Sequence, residues 1–322
     1  MGSISETAEG MSALAGAATA RAAQAGEAAV SPEDVARSLR ERFFTIVRQN
    51  EAGDRRRHIR YPINLNATLH VGAHPLTTHT IDISAGGVLL ANLHAIDLAP
   101  GYAAAMDIEG LGRLDVQVVA ISPMGLHCAF ATLDHEAQAS LAQTIAQVEE
   151  EYRPLIALAQ RSARRVEATL EQAVTDGRLS REQLFDADYR PIAGTEPRQF
   201  ETAYTSVLED LLPEIQEPIL LSDNRMSFCV AVDRNGYTPV HNRKYAMPQR
   251  TGDVAWNTAY AQSKRIFDDR AGLTAARSRR PFTIQSFARD MGGGRTVMIR
   301  EIDAPIRVFG RHWGGFRTGY FF

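Results

Sequence analysis

The sequence predicts a multidomain chain: a small antiparallel β-barrel, then an all-α connector, then an α+β domain. Three observations carry this. Over residues 63–131, short runs alternate apolar with polar residues, the period of half-buried strands. From Asp134 the apolar spacing lengthens to three or four residues, the period of amphipathic helices. Beyond Met226 strand-like runs return around one mixed helical stretch, as in a sheet with helices on one face.

Residues 1–30 are rich in Ala, Gly, Ser, Thr and Glu and poor in large apolar side chains. They read as a flexible or weakly helical tail. Ser31-Pro32-Glu33-Asp34 is a helix-start signature, and Val35, Leu39, Phe43, Phe44 and Val47 follow at helical spacing. An amphipathic helix is expected over 31–52. The barrel is expected over 53–134, with strands at Ile63–Val71, Thr78–Ile83, Gly87–Leu93, Ala103–Ile108, Gly112–Ile121 and Gly125–Ala131. Turn formers such as Ala73-His74-Pro75 and Ala85-Gly86-Gly87 separate them. The connector is expected over 135–215. Pro154 should interrupt or restart its first helix, and Gly177 should stop the second run. Ser180–Gln183 resembles a capping box, and Phe200–Leu212 reads as a further helix. In residues 216–322, Met226–Val232 is a continuous apolar strand. Asp233-Arg234-Asn235-Gly236 is a hairpin turn, with Tyr237–His241 returning. Residues 253–278 are helical or mixed, and three strands close the chain, the first two joined by Gly292-Gly293-Gly294.

Length and composition narrow the function. The 322 residues suit more than one domain. A net charge of −3 argues against a nucleic-acid wrapper. Two distant cysteines, Cys128 and Cys229, give no metal pair and no disulfide framework. No apolar run reaches membrane-span length, and no secretory leader pattern opens the chain. The expected location is cytoplasmic. No nucleophile elbow, zinc-protease helix or phosphate loop occurs, so a binding protein rather than an enzyme is expected.

The most informative chemistry is Arg56-x-x-x-Arg60 followed by Asp82-x-Ser84-x-x-Gly87. Clustered guanidiniums ahead of the barrel can grip phosphates bidentately and stack on planar bases. Asp82 and Ser84, two apart on a strand, share one face. Gly86 and Gly87 allow a tight turn and close backbone approach. These paired motifs resemble the PilZ domain, the bacterial cyclic di-GMP receptor, over about residues 53–135. The resemblance implies a PilZ-like barrel with cyclic di-GMP as ligand and no obligate cofactor. It implies binding through Arg55, Arg56, Arg60, Asp82, Ser84, Gly86 and Gly87. The alternative is a solvated basic linker beside an ordinary turn, a degenerate site.

Phe228–His241 resembles the first hairpin of PAS/Cache-type sensor domains, and Ala304–Arg317 resembles their last strands. The region from about 150 to 320 looks like the C-terminal cytoplasmic module of some methyl-accepting chemotaxis proteins. Val240-His241-Asn242, Arg265–Arg270, Arg289–Gly294 and Arg311–Gly315 carry that resemblance. The chain departs from that family in lacking its long signalling hairpin. The resemblance implies a PAS/Cache-like domain with a pocket between sheet and helices. Tyr237, His241, Trp256, Arg265, Phe267, Asp268, Arg270 and Trp313 are its candidate lining, suited to a carboxylate or other small anion. Asp268, Asp269 and Arg270 read equally as a structural ion network, and Trp256 and Trp313 as core. His241 or His312 as a haem ligand is the less favoured reading. The expected function is signal transduction in chemotaxis or motility: cyclic di-GMP binding at the barrel, coupled to the C-terminal module. The alternative is a small-molecule or haem sensor with a degenerate barrel site. A homodimer through the long helices and a chemotaxis or flagellar partner are expected, with no nucleic acid.

Overall fold

The structure is a computed structural model that describes residues 58–72, 74–91, 98–122 and 125–321. The expected tail over 1–30, the helix over 31–52, Arg55 and Arg56 lie outside those residues.

Period-two patterning produces the barrel. The strands are β1 (Tyr61–Pro62), β2 (Asn66–Val71), β3 (His74–Ser84), β4 (Gly87–Leu90), β5 (Ala103–Ile108), β6 (Gly112–Ser122) and β7 (Gly125–Phe130). All pair antiparallel in the order β1-β3-β2-β5-β6-β7-β4, and β3 also pairs with β4. Strands β2 to β7 therefore close on themselves, which leaves no open edge among them. β1 and β2 pair successive stretches of β3, with Pro62 opposite Asp82 and Asn66 opposite His79. They act as one interrupted strand. Along β6, Leu114, Val116 and Val118 are buried while Asp115, Gln117 and Val119 are exposed. The inward set joins Leu69, Ile83, Val88, Leu90 and Met106 in one core. The turn expected at Ala73-His74-Pro75 instead starts at Gly72, at φ 58°, so His74 and Pro75 already belong to β3.

The helical period then yields α1 (His135–Thr175), 41 residues long and thus about 60 Å at 1.5 Å per residue. Asp134 caps it, its carboxylate accepting the Ala137 N–H at 2.8 Å. Pro154 lies inside the helix and does not interrupt it, contrary to expectation. A mid-helix proline costs about 3 kcal/mol. The buried stripe on either side, including Tyr152, Leu155, Ile156, Ala159, Val166 and Leu170, outweighs that cost. Gly177, at φ 70°, ends the helix. The Arg178 N–H reaches Ala173 O and the Gly177 N–H reaches Val174 O, the paired bonds of a Schellman stop.

The connector is less uniformly helical than its pattern. α2 (Arg181–Leu184) opens with the expected capping box of Ser180 and Gln183. Next, β8 (Arg190–Pro191) pairs with β9 (Phe200–Glu201). The helix expected from Phe200 starts only at α3 (Thr205–Leu211), and α4 (Pro213–Leu220) follows, with Pro213 at its first position.

The C-terminal sheet contains β10 (Met226–Asp233), β13 (Thr283–Asp290), β14 (Thr296–Val308) and β15 (Arg311–Phe321), antiparallel in the order β10-β15-β14-β13. Between β10 and β13 run β11 (Tyr237–Thr238), α5 (Val254–Tyr260), β12 (Arg265–Ile266) and α6 (Arg270–Arg277). The turn at 233–236 forms, with the Asp233 carboxylate accepting the Asn235 and Tyr237 N–H groups. The returning strand, however, pairs with β12 instead of β10. Gly236, at φ 81°, lies so close to Phe267 O that a Cβ there would stand 2.3 Å from it. The turn is thus clamped to the second half of the domain. β10 is buried on both faces. Cys229 and Ala231 join the core shared with α1, while Phe228, Val230 and Val232 join Ala276 of α6.

One helix is rooted in both cores. Leu141 of α1 packs into the barrel, and Val148 onward packs against the C-terminal sheet. At the junction the Tyr152 hydroxyl donates to Pro62 O at 3.2 Å. The Tyr61 and Tyr152 rings lie 6.4 Å apart, and the Arg300 guanidinium sits 5.7 Å from the Tyr152 ring.

An acid pair in β14 sets a pH dependence. Glu301 and Asp303, both buried, face one guanidinium, Arg317, which binds Glu301 at 2.8 Å. Asp303 Oδ2 accepts from the Thr283 hydroxyl and the Gln285 amide, while Oδ1 finds no donor among the described residues. Burial and the neighbouring Glu301 carboxylate hold the Asp303 carboxyl well above its usual range, so it keeps its proton in the fold. A carboxyl raised on folding stabilises fully below its unfolded pKa. That contribution is lost as pH rises through the folded value. Asp303→Asn supplies a carbonyl to Thr283 and an N–H to Glu301 with nothing to ionise. Urea midpoints at pH 5, 6.5 and 8 should show the variant gaining on the parent as pH rises. A constant difference would contradict the assignment.

Candidate functional site

The hairpin between β3 and β4 builds the barrel site. Ser84 closes its two-residue turn: the hydroxyl donates to Gly87 O at 3.1 Å and accepts from the Gly86 N–H at 3.4 Å. Ser84 is buried, so this hydroxyl shapes the turn. Gly87 sits where β4 meets β7, and a Cβ there would stand 2.2 Å from Cys128 O. Gly86 is exposed, and the ring of His58 lies over it, with Cδ2 3.0 Å from where a Cβ would sit.

The leader returns onto this hairpin because β1 pairs with the end of β3. That pairing carries Arg60 to Asp82. One guanidinium nitrogen donates to Asp82 Oδ1 at 2.7 Å, with the two side chains 27% and 20% exposed. A half-buried, charge-assisted pair is stronger than a surface one but stays open to a competing anion. Arg60 of the first motif and Asp82 of the second, distant along the chain, thus meet in one place. Arg55 and Arg56 precede this point and lie outside the described residues. His58 was not among the sequence candidates; only the fold shows it beside Gly86.

The candidates in the C-terminal domain divide. His241, Arg265 and Phe267 line one cavity with a volume of about 220 Å³. Tyr237, Trp256, Asp268, Arg270 and Trp313 are not among its lining residues. Tyr237 is fully buried, its hydroxyl donating to Phe200 O and paired with Thr205, and its ring packs against Tyr189 and Tyr204. Trp256 stacks with Arg250 at 3.8 Å. Arg270 is exposed in the first turn of α6. Trp313 donates its indole N–H to Leu184 O in the core shared with the connector. Strict alternation would place Trp313 with Arg317 on the cavity face. A bulge opposite Ile306/Arg307 inserts one residue and turns the indole to the other side. His312 donates from Nε2 to Ala276 O at 2.9 Å.

The cavity residues that pattern reading missed include Phe228, Thr238, Gln262, Phe287, Arg289 and Arg317. Arg289 lay inside a quoted motif. Its burial could not be read from sequence, because arginines are mostly surface residues. No group of three or more His, Cys, Asp or Glu is placed to hold a metal among the described residues. No helix among them is long and apolar enough to cross a membrane.

A closed antiparallel barrel whose leader arginine ties onto an Asp-x-Ser-x-x-Gly hairpin has the form of a PilZ domain. Residues 54–147 match the family model described as PilZ domain. PilZ domains are cyclic di-GMP-binding effectors rather than enzymes. No curated protein matches the chain. Solved structures align over about three tenths of the chain. The inhibitor of motility MotI/DgrA of Bacillus subtilis is 16% identical with a TM-score of 0.27, covering 30% of this chain and 52% of that one. YcgR of Escherichia coli, solved with c-di-GMP, is 21% identical with a TM-score of 0.26, covering 31% and 48%. The MrkH–c-di-GMP complex of K. pneumonia is 16% identical with a TM-score of 0.26, covering 31% and 55%. The chain therefore spans about half the length of each.

Proposed function

We propose that the chain is a cyclic di-GMP-binding signal-transduction protein. It couples nucleotide binding at the barrel to a C-terminal PAS/Cache-like sensor module and acts in chemotaxis or motility control. The observation that carries this reading is the Arg60–Asp82 contact, which unites both motif halves in one half-buried pair. Arg55, Arg56 and Arg60 grip the ligand's phosphates, Asp82 receives a guanine edge, and Gly86 and Gly87 let the backbone approach. The sheet order β10-β15-β14-β13, with a cavity between sheet and helices, favours the sensor reading of the C-terminal unit. Its partner is a chemotaxis or flagellar component, and the long helices pair in a homodimer. The test is calorimetric titration of the full chain with cyclic di-GMP, expected to give low-micromolar or tighter binding. Heat indistinguishable from dilution would overturn the reading.

Coupling has a specific route. Tyr61 follows Arg60 directly and packs beside Tyr152, whose hydroxyl holds Pro62 O. A ligand that pulls Arg60 from Asp82 moves this junction. Coupling of about 1–3 kcal/mol is usual for such two-site linkage. Tyr152→Phe removes the bond without emptying the core. It should leave nucleotide affinity within about threefold while reducing ligand-induced hydrogen-exchange changes in β13 and β14. Unaltered exchange changes would place the route elsewhere.

The second reading, a small-molecule sensor with a degenerate barrel site, rests on the C-terminal cavity. It predicts ligand-induced stabilisation by a metabolite and none by cyclic di-GMP.

A further inference from the structure

The cavity in the C-terminal domain holds a buried guanidinium whose hydrogen-bond partners are neutral. Arg289, on β13, is 6% exposed. Its guanidinium donates to Ser227 Oγ at 3.0 Å and to Gln262 Oε1 at 2.8 Å, and it lies 4.2 Å from the Tyr245 ring. All of these partners are neutral. The neighbouring buried arginine, Arg317, is by contrast bound by Glu301 through two nitrogens, at 3.1 and 2.8 Å. A buried cation with no carboxylate bound directly to it is costly unless an anion completes it.

A second, independent observation points into the same space. The Thr238 side chain is fully buried, and its hydroxyl has no partner among the described residues. Buried hydroxyls almost always have one. Thr238 lines the cavity together with Arg289 and His241. His241 accepts the Asn242 N–H at Nδ1, which puts its proton on Nε2 as a donor. Burial and the nearby Arg289 hold it neutral, well below its usual range.

We propose that this cavity binds a small monocarboxylate, with Arg289, Thr238 and His241 receiving the carboxylate and Phe228, Val230 and Phe287 enclosing a short apolar body. The volume of about 220 Å³ lies below the range for drug-sized ligands, so the body is a few carbons or one small ring. The buried Arg289 guanidinium, whose hydrogen-bond partners are neutral, matches one carboxylate. Asp269 and Asp290 are exposed and also line the cavity, which disfavours a dianion. The inference deepens the sensor half of the proposed function and does not depend on nucleotide binding at the barrel.

The test is a thermal-shift and calorimetric titration of the full chain with butyrate and benzoate, against succinate, inorganic phosphate and neutral butyramide. At least one monocarboxylate should stabilise the protein at millimolar concentration or below, and butyramide should not. Arg289→Gln should weaken that binding at least tenfold. Thr238→Val provides a variant that folds: removing the orphan hydroxyl should raise the unliganded melting temperature while shrinking the ligand-induced shift. Arg60→Ala should leave the carboxylate response intact, which separates this proposal from the barrel reading. No response to either monocarboxylate would overturn it, as would equal stabilisation by butyramide, a preference for succinate or phosphate, or an unchanged affinity in both cavity variants.

Discussion

Arg60→Ala should raise the dissociation constant for cyclic di-GMP at least about 100-fold, or about 2.7 kcal/mol, while the chain stays folded. Two effects add. A charge-assisted hydrogen bond to phosphate is worth about 1.5–3 kcal/mol. The variant also leaves the Asp82 carboxylate, only 20% exposed, without the guanidinium that now neutralises it. A doubly charged ligand would then approach an uncompensated negative charge. Asp82→Asn keeps Arg60 but replaces the carboxylate that receives the guanine edge with an amide, so it should weaken binding as well. In the double variant the losses should fall short of the sum of the singles, because the residues share one contact. Calorimetry at constant salt gives the constants, and a thermal melt confirms folding. A dissociation constant within threefold of the parent would place the ligand elsewhere.

Gly87→Ala should destabilise the barrel by at least about 3 kcal/mol, the upper range for overpacking a close-packed site. The added carbon would stand 2.2 Å from Cys128 O and 3.0 Å from Ala129 Cα. Both are backbone atoms of β7, so no rotamer change relieves the clash. The substitution pries apart β4 and β7, a pairing on which barrel closure depends. Gly86→Ala is the control one residue away. Its nearest neighbour is the exposed His58 ring, which can swing aside, so stability should change by less than about 0.5 kcal/mol. Urea denaturation of both variants measures the contrast. Equal, small losses would show that β4 is not pressed against β7 as the structure has it.

The strands of the barrel were legible because their inner faces alternate cleanly, as Leu114, Val116 and Val118 do. The helix stop at Gly177 and the capping box at Ser180 were legible because their chemistry is local. Misreadings arose where distant partners decide. Pro154 stays helical because a sheet far away in sequence buries the turns around it. Tyr237 leaves β10 because Phe267 and Ile266 claim its turn and strand. Trp313 faces the connector because one bulge defeats the period of two. For the barrel site, both motifs could be read, and their convergence needed the β1–β3 register. The C-terminal cavity was half legible: His241, Arg265 and Phe267 line it, while Arg289 and Thr238 became conspicuous only through burial and missing partners.

The segment that matches the PilZ family model ends at residue 147, about a third of the way along α1. A cut there would strip Tyr152 from Pro62 and bare the seam between the two cores. The family match therefore stops short of the contacts that seat this helix on the C-terminal sheet. A recombination event joining this barrel to another output domain would have to carry the helix through Thr175, or else rebuild its far half to suit a new neighbour.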